Sequence, residues 1–487
     1  MRYWTLKQWI GAIILLAGII AMTVLFIKQE LVFGLLVAII PFSLLVLMIS
    51  VNQPYWAMML LFAENYFIMG IGRYVTISGL GVLTDVLFGF ILLSSLLRSV
   101  TNRDIEWKAA LNGASLLFLI WFIFCLMEII NPTAITAAWA SSFRSLTLYP
   151  LLTIALASIF FRQFRDMKRI LILWSLFTLV AVIKMQMQKT MGFDWAEIRW
   201  LHQGDNMKTH ILGSGTRYFS IFTDAGNYGS NMGCAGVIFT LCAFFTEKKW
   251  LKLLFFATGL IGIYGLFVSG TRGALAVPIA GFILYTFLSK QFKIIMTMVI
   301  FLIAVFVFFN YTTIGQGNQY IRRMRSAFNK DEPSLVIRFD NQKRLAQYIK
   351  TRPFGEGIGL SGVAAKRFDA ERLTTNIPND SWYVKVWVET GIVGLLLYLG
   401  IQLSIIGYGV WLVLSKLKDR TLRGYVSAIL CGIFGMMASS YGNAIWGQYP
   451  TCILMSLSQA FVFLSPLYDK ELEHLTLQHN GSVSLQS

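Results

Sequence analysis

Four polar stretches stand where long apolar runs give way to hydrophilic sequence, and each carries groups that handle phosphate or protons. The first is Ser269-Gly270-Thr271-Arg272-Gly273. Thr271 is placed to cap a helix starting near Gly273, which would aim free N–H groups outward beside Arg272 and make an anion site. An arginine at such a boundary can equally snorkel to lipid headgroups. The second runs from Arg217 to Gly229, with Asp224 and Asn227 in a polar turn after the arginine. Asn227 is a candidate substrate ligand, although both residues also suit plain turn and helix-start duties. The third is Arg338 with the turn Pro353-Phe354-Gly355-Glu356-Gly357-Ile358-Gly359. Gly357, Gly359 and Gly362 make a formal G-x-G-x-x-G, but no βαβ unit surrounds it, so a tight loop is expected and a dinucleotide site is not. The fourth is Asn379-Asp380-Ser381 leading to Glu389-Thr390-Gly391. Asp380 could take a proton from an attacking hydroxyl, or Asn379 or Asp380 could simply cap a helix. Glu389 lies two to three turns deeper, where an acid needs a partner such as Lys385 or an arginine.

Arginine forks match phosphate oxygens bidentately, and a lipid diphosphate leaves readily once its charge is neutralised. No Asp-x-Asp pair occurs to cradle a metal-bound nucleotide sugar, and no cofactor is expected. The five cysteines (Cys125, Cys234, Cys242, Cys431 and Cys452) all lie in apolar runs and show neither disulfide nor metal-ligand spacing.

The elements that must position these groups are membrane helices. Hydrophobic residues make up 56% of the chain and charged ones 13%, where soluble domains carry about a quarter charged. The expected fold is all-α: a polytopic membrane bundle of about 12–14 helices. Candidate spans are 9–27, 31–51, 54–70, 79–97, 109–130, 145–161, 169–187, 229–246, 250–268, 273–289, 294–310, 391–414, 424–444 and 449–466. The first follows Arg2 and Lys7 and reads as a retained helix, since no small-residue cleavage site follows it. The span 54–70 is short, contains Glu64, and could enter only part-way.

With both termini in the cytoplasm, the basic loops near 98–108, 162–169, 248–252, 290–293 and 416–423 all fall inside, as the positive-inside rule asks. The segments 188–228 and 311–385 then lie outside. In the second, Tyr320, Ile321, Met324 and Phe328, and then Leu345, Tyr348 and Ile349, repeat at helical spacing among arginines. Such helices are expected to rest on the membrane with their basic side toward headgroups. The net charge of +17 therefore points to membrane lipids and a phosphate-bearing ligand, not to nucleic acid. No internal repeat or separate soluble domain is visible, so residues 1–487 read as one integral membrane domain.

In order, these motifs are an arginine-bearing turn, Ser-x-x-Arg-Gly, a long loop ending in Pro-Phe-Gly-x-Gly, and Glu-Thr-Gly-Ile-Val-Gly. Over residues 217–394 the sequence resembles the O-antigen ligase and polymerase superfamily of bacterial envelope glycosyltransferases. That resemblance implies a metal-independent, inverting GT-C-type enzyme of the inner (plasma) membrane, acting in lipopolysaccharide or exopolysaccharide assembly. Its donor would be an undecaprenyl diphosphate-linked glycan at the periplasmic face, and its acceptor a glycan or a lipid-linked core. Other polysaccharide-assembly proteins are admitted as further partners. The family's diphosphate-binding arginines would map onto Arg217 and Arg272, with Arg338 added. Where ligases carry His-Asn nine residues before the glutamate, this chain has Asp380-Ser381. The departure makes Asp380 the candidate base and points toward polymerase. The competing class is a flippase or exporter of lipid-linked sugars, which would normally show repeats and midplane ionisable residues.

Overall fold

A computed structural model describes residues 53–75, 79, 81–101, 105–213, 215–328 and 333–484. The spans expected at 9–27 and 31–51 lie outside these residues. Every expected span from 54–70 onward falls on a helix. The long helices are α1 (Pro54–Tyr74), α2 (Gly81–Thr101), α3 (Gly113–Met127), α4 (Thr136–Phe160), α5 (Phe164–Thr190), α6 (Ala225–Phe245), α7 (Lys249–Val268), α8 (Ala276–Ser289) and α9 (Phe292–Tyr311). After two shorter helices, α10 (Gln319–Arg325) and α11 (Pro333–Ile349), come α12 (Trp382–Trp411), α13 (Arg420–Ser439) and α14 (Thr451–Ser484). Among the described residues the one sheet is a two-residue hairpin, β1 (Ile211–Leu212) paired antiparallel with β2 (Gly215–Thr216). Ten described helices are long and apolar enough to cross a membrane, so the chain is a multi-pass, all-α membrane protein. Helix α1 is not among the ten, in keeping with its Glu64 and Arg73.

The chain divides into two compact units. Of the described residues, the smaller holds 53–61, 81–101 and 105. Its α2 buries Thr84, Leu87, Phe88, Ile91, Ser94 and Ser95, one stripe at helical spacing, and Ser95 Oγ returns its proton to the Ile91 carbonyl at 2.6 Å. The larger unit holds the described residues from 62 to 79 and from 106 to 484, and within it α6, α13 and α14 are the most enclosed.

Small residues set the centre of the larger unit. Gly236 on α6 faces Gly262 on α7 so closely that a Cβ on Gly262 would sit 2.8 Å from the Met232 carbonyl oxygen. Helices that gain nothing from apolar burial in lipid associate through close backbone approach of this kind.

Several helices begin earlier than hydropathy suggests, because polar caps define the true ends. Asp224 accepts from the Gly226 and Asn227 amides, so α6 starts four residues ahead of the expected 229. Helix α4 starts at Thr136 and passes through a π turn at Arg144–Leu148. Pro150 supplies no amide to the Leu146 carbonyl, and the Trp121 indole N–H donates to that oxygen instead at 3.1 Å.

Helix α12 starts at Trp382, well before the expected 391, and is broken at Gly391 (φ 66°, ψ −171°). The Pro353 carbonyl enters the break and accepts the Val393 amide at 3.3 Å. A Cβ on Gly391 would stand 1.9 Å from that oxygen, so only glycine fits. The following turn pairs with the broken edge, Glu356 N donating to Val388 O at 2.9 Å and Gly357 N to Glu389 O at 3.0 Å. Gly355, Gly357, Gly359 and Gly362 all have positive φ, which makes the formal G-x-G-x-x-G a tight packing loop.

Candidate functional site

Around Arg217, the site begins with a buried framework. The helix at Asn206–His210 and the β1–β2 hairpin carry the chain to Arg217, whose amide donates to the His210 carbonyl at 2.8 Å. Behind it, Arg73 lies over the Trp200 and Phe219 rings at 4.7 and 4.4 Å and donates to the Ser220 carbonyl. His210 is itself buried, its Nδ1 beside the Asn206 carbonyl at 2.8 Å and its Nε2 accepting the Ala225 amide at 3.2 Å. Burial pushes its pKa down to about 4, so the ring is neutral at pH 7.

From this framework the Arg217 guanidinium donates to Thr209 O at 3.0 Å and to Thr271 Oγ1 at 2.9 Å. Its pKa is lowered by burial, offset in part by Asp224, with Arg272 and Arg338 adding to the lowering. Thr271 departs from expectation. Its hydroxyl caps no helix; it accepts from Arg217 and donates to the Ala225 carbonyl at 2.8 Å. The reason is local: Arg272–Leu275 is a tight 3-10 turn, and α8 begins only at Ala276.

Arg272 donates to Ser326 Oγ at 3.0 Å, and Ser326 in turn donates to the Arg323 carbonyl at 2.9 Å. Arg323 Nε donates to the Gly270 carbonyl at 2.5 Å. These contacts draw α10 over the turn between α7 and α8. Met324 is fully buried. Leu345 and Ile349 of α11 pack with Ile377 and Val388. The two amphipathic helices exist as expected, but Arg323 and Arg338 face a cavity in the protein in place of headgroups, because their apolar stripes seat on neighbouring helices.

That cavity measures about 270 Å³. Its lining holds four guanidiniums (Arg217, Arg272, Arg323 and Arg338) and no acidic residue. Ser326, Gln342, Tyr441 and Asn443 add uncharged polar groups. Asp380 pairs with Arg338, Oδ2 to Nε at 3.4 Å, and remains partly exposed. Ser381, not Asn379 or Asp380, caps α12 through the Val384 amide, which leaves the Asp380 carboxylate available for Arg338. The Trp382 amide donates to Ser440 O at 2.9 Å and Tyr383 OH to Met437 O at 2.7 Å, fixing this helix start against the end of α13.

The structure thus gathers Arg217, Arg272, Arg338 and Asp380 and leaves two candidates apart from them. Asn227 is fully buried, donating to Tyr449 O at 2.6 Å and accepting from Thr451 Oγ1 at 2.7 Å, a helix-to-helix tie. Glu389 is also buried; it accepts from Ser361 Oγ at 2.5 Å and lies 3.0 Å from Lys385 Nζ, its expected partner. Asn379 Nδ2 donates to the same Ser361 hydroxyl at 2.7 Å, so Glu389 organises the chain that leads to Asp380.

Sequence reasoning passed over Arg323, Tyr441 and Asn443. Arg323 sat in view beside buried Met324, whereas Tyr441-Gly442-Asn443 was swallowed by the span 424–444. The helix-breaking character of that triplet was the available signal, since α13 ends at Ser439.

A family model described as O-antigen ligase matches residues 254–399. No curated protein matches the chain. The matched stretch includes Arg272, Arg323, Arg338 and Asp380, while Arg217, Tyr441 and Asn443 join the cavity from outside it. Over that stretch the chain resembles the O-antigen ligase and polymerase superfamily, and the match supports a function of that type.

Proposed function

We propose that the chain is a membrane glycosyltransferase that transfers or polymerises glycan units from an undecaprenyl diphosphate-linked donor at the outer face of the bacterial plasma membrane. The observation that carries the reading is a single cavity lined by four guanidiniums from four separate segments, with one carboxylate 3.4 Å behind Arg338. A diphosphate is the leaving group such a lining suits, since each fork can take two phosphate oxygens and the site supplies charge where charge develops. The acceptor hydroxyl oxygen attacks the anomeric carbon while the bond to the carrier phosphate breaks. The electron pair leaves with the diphosphate, and the hydroxyl proton passes to Asp380. A single displacement of this kind inverts the anomeric centre. Arg338 positions the Asp380 carboxylate at 3.4 Å. Tyr441, Asn443 and Gln342 offer an aromatic face and amides to sugar hydroxyls.

The sidedness of this reading is supported by the basic segments at the opposite end of the helices. Glu247, Lys248, Asp419 and Glu471 all lie within electrostatic reach of Lys168 there, and Lys290 Nζ donates to Leu414 O at 2.7 Å. Positive loops of this kind stay cytoplasmic, which supports an outer position for the arginine cavity.

Reconstitution of the purified chain with a lipid diphosphate-linked repeat unit tests the proposal. A ladder of lengthening products marks a polymerase, and one transfer to a second lipid marks a ligase. Arg272→Ala should lower the rate roughly a hundred- to a thousandfold without loss of membrane insertion. Asp380→Asn should lower turnover by a similar order while donor capture persists. Normal product yield in the Arg272→Ala protein, or translocation with no bond formed, would refute the assignment.

A further inference from the structure

A second cavity opens at the far end of the same helices. Helices α8 and α13 border the arginine cavity through Ala276 and Ala438, and border this one through Ser289, Arg420 and Arg423. Its volume is about 620 Å³, inside the range of small-molecule sites. Four cations line it (Lys290, Lys293, Arg420 and Arg423) and none of its lining residues is acidic. Lys293, Arg420 and Arg423 form no ion pair among the described residues, and all three are exposed. Lys290 uses one of its three ammonium protons on the Leu414 carbonyl. Three acids near the start of α13 are committed elsewhere: Asp419 accepts the Leu422 amide, Asp469 accepts the Lys418 and Asp419 amides, and Glu473 takes the Lys418 ammonium.

Phe244, Tyr285 and Met298 add apolar surface to the lining. From its mouth runs the outer side of α9, where Phe292, Met296, Val299, Ile300 and Ile303 are exposed in a row along the helix. The turn that brings Lys290 and Lys293 to the cavity is unusual, since Lys290 holds φ 52° where glycine is the common choice. Non-glycine residues persist in that conformation where the surroundings over-determine them, as they do at ligand clamps.

We propose that this cavity binds the headgroup of an anionic glycerophospholipid, its phosphate among Lys293, Arg420 and Arg423 and its acyl chains along α9. Uncompensated cations beside an apolar channel at the end of membrane helices recognise a phosphate attached to hydrocarbon, and free phosphate would leave the apolar surface unused. The assignment is independent of what the arginine cavity does.

Native mass spectrometry of the full-length protein with equimolar dioleoylphosphatidylglycerol and dioleoylphosphatidylcholine tests it. The wild type should retain the phosphatidylglycerol preferentially. Lys293→Gln with Arg423→Gln should reduce that preference by roughly fivefold per charge removed, the effect of about 1 kcal/mol per cation near an anionic surface. Lys249→Gln with Lys252→Gln, basic residues that do not line the cavity, should leave it intact. If the double variant does not elute as a single species, Arg423→Gln alone gives the same reading at one step of roughly fivefold. Equal retention of the two lipids overturns the proposal, as do equal losses in the two variant pairs. Displacement of the phosphatidylglycerol by inorganic phosphate at matched concentration overturns the lipid assignment in favour of a free anion.

Discussion

Arg217 reaches the cavity from a hairpin whose base is His210, so the arginine's position depends on a neutral imidazole. The folded ring has its pKa near 4 against an ordinary 6.5, and the unfolded segment therefore takes up a proton first as the pH falls. Stabilisation of the 206–228 segment is complete above pH 6.5 and drains as the pH drops toward 4, by roughly 3 kcal/mol in all. Amide hydrogen exchange in that segment, corrected for intrinsic rates, should be markedly faster at pH 5 than at pH 7.5. Equal protection at both values would contradict it, and His210→Gln should flatten the dependence. At this scale the sequence was only half legible. Arg217, Arg272 and Arg338 could be singled out because a guanidinium fork matches phosphate oxygens bidentately. The cap was expected at Asn379 or Asp380 and fell to Ser381, because neighbouring residues suit the same duty and the backbone angle decides.

Among the elements, α12 shows how a motif of small residues becomes architecture. The Pro-Phe-Gly turn and the Glu-Thr-Gly stretch, distant in sequence, close on each other because Gly391 lets a carbonyl into the helix axis. Gly391→Ala combines a left-handed backbone with a Cβ 1.9 Å from Pro353 O, and should destabilise the protein by several kcal/mol, near the sum of a strain and an overpacking term. Gly400→Ala on the same helix meets nothing within 4 Å and should be neutral or gain up to about 1 kcal/mol. Thermal unfolding in one detergent compares them; similar midpoints would show the break to be dispensable. Hydropathy located α12 but missed its first nine residues, since Trp382–Thr390 carries Lys385 and Glu389 and scores as a loop. Their mutual pairing at 3.0 Å is what makes that turn tolerable as helix. The same blindness shortened α6, whose start is set by the Asp224 cap that an apolar average ignores.

The whole molecule keeps two positive chambers at opposite ends of shared helices, and its sidedness can be read directly because all five cysteines are buried. In that silent background an impermeant maleimide should label Gln316→Cys from outside intact cells and Ser415→Cys only after permeabilisation, both native residues being exposed. The reverse pattern would put the arginine cavity in the cytosol and end the proposed reaction. The overall class was the most legible level, for a bilayer forces apolar runs of fixed length regardless of detail. The crossing of α10 and α11 over the cavity was not, since it rests on single residues such as Met324 finding a seat. One consequence of the four-arginine lining concerns what would happen after transfer. On the proposed reaction, a laden carrier would bring a diphosphate esterified at both ends and an emptied one a diphosphate with a free terminal phosphate and up to one more negative charge, so four guanidiniums with no acid among them would hold the spent lipid at least as firmly as the donor. The spent lipid would then have to be dislodged by an arriving donor or by mobile ions, and until it went it would occupy the seat of its successor.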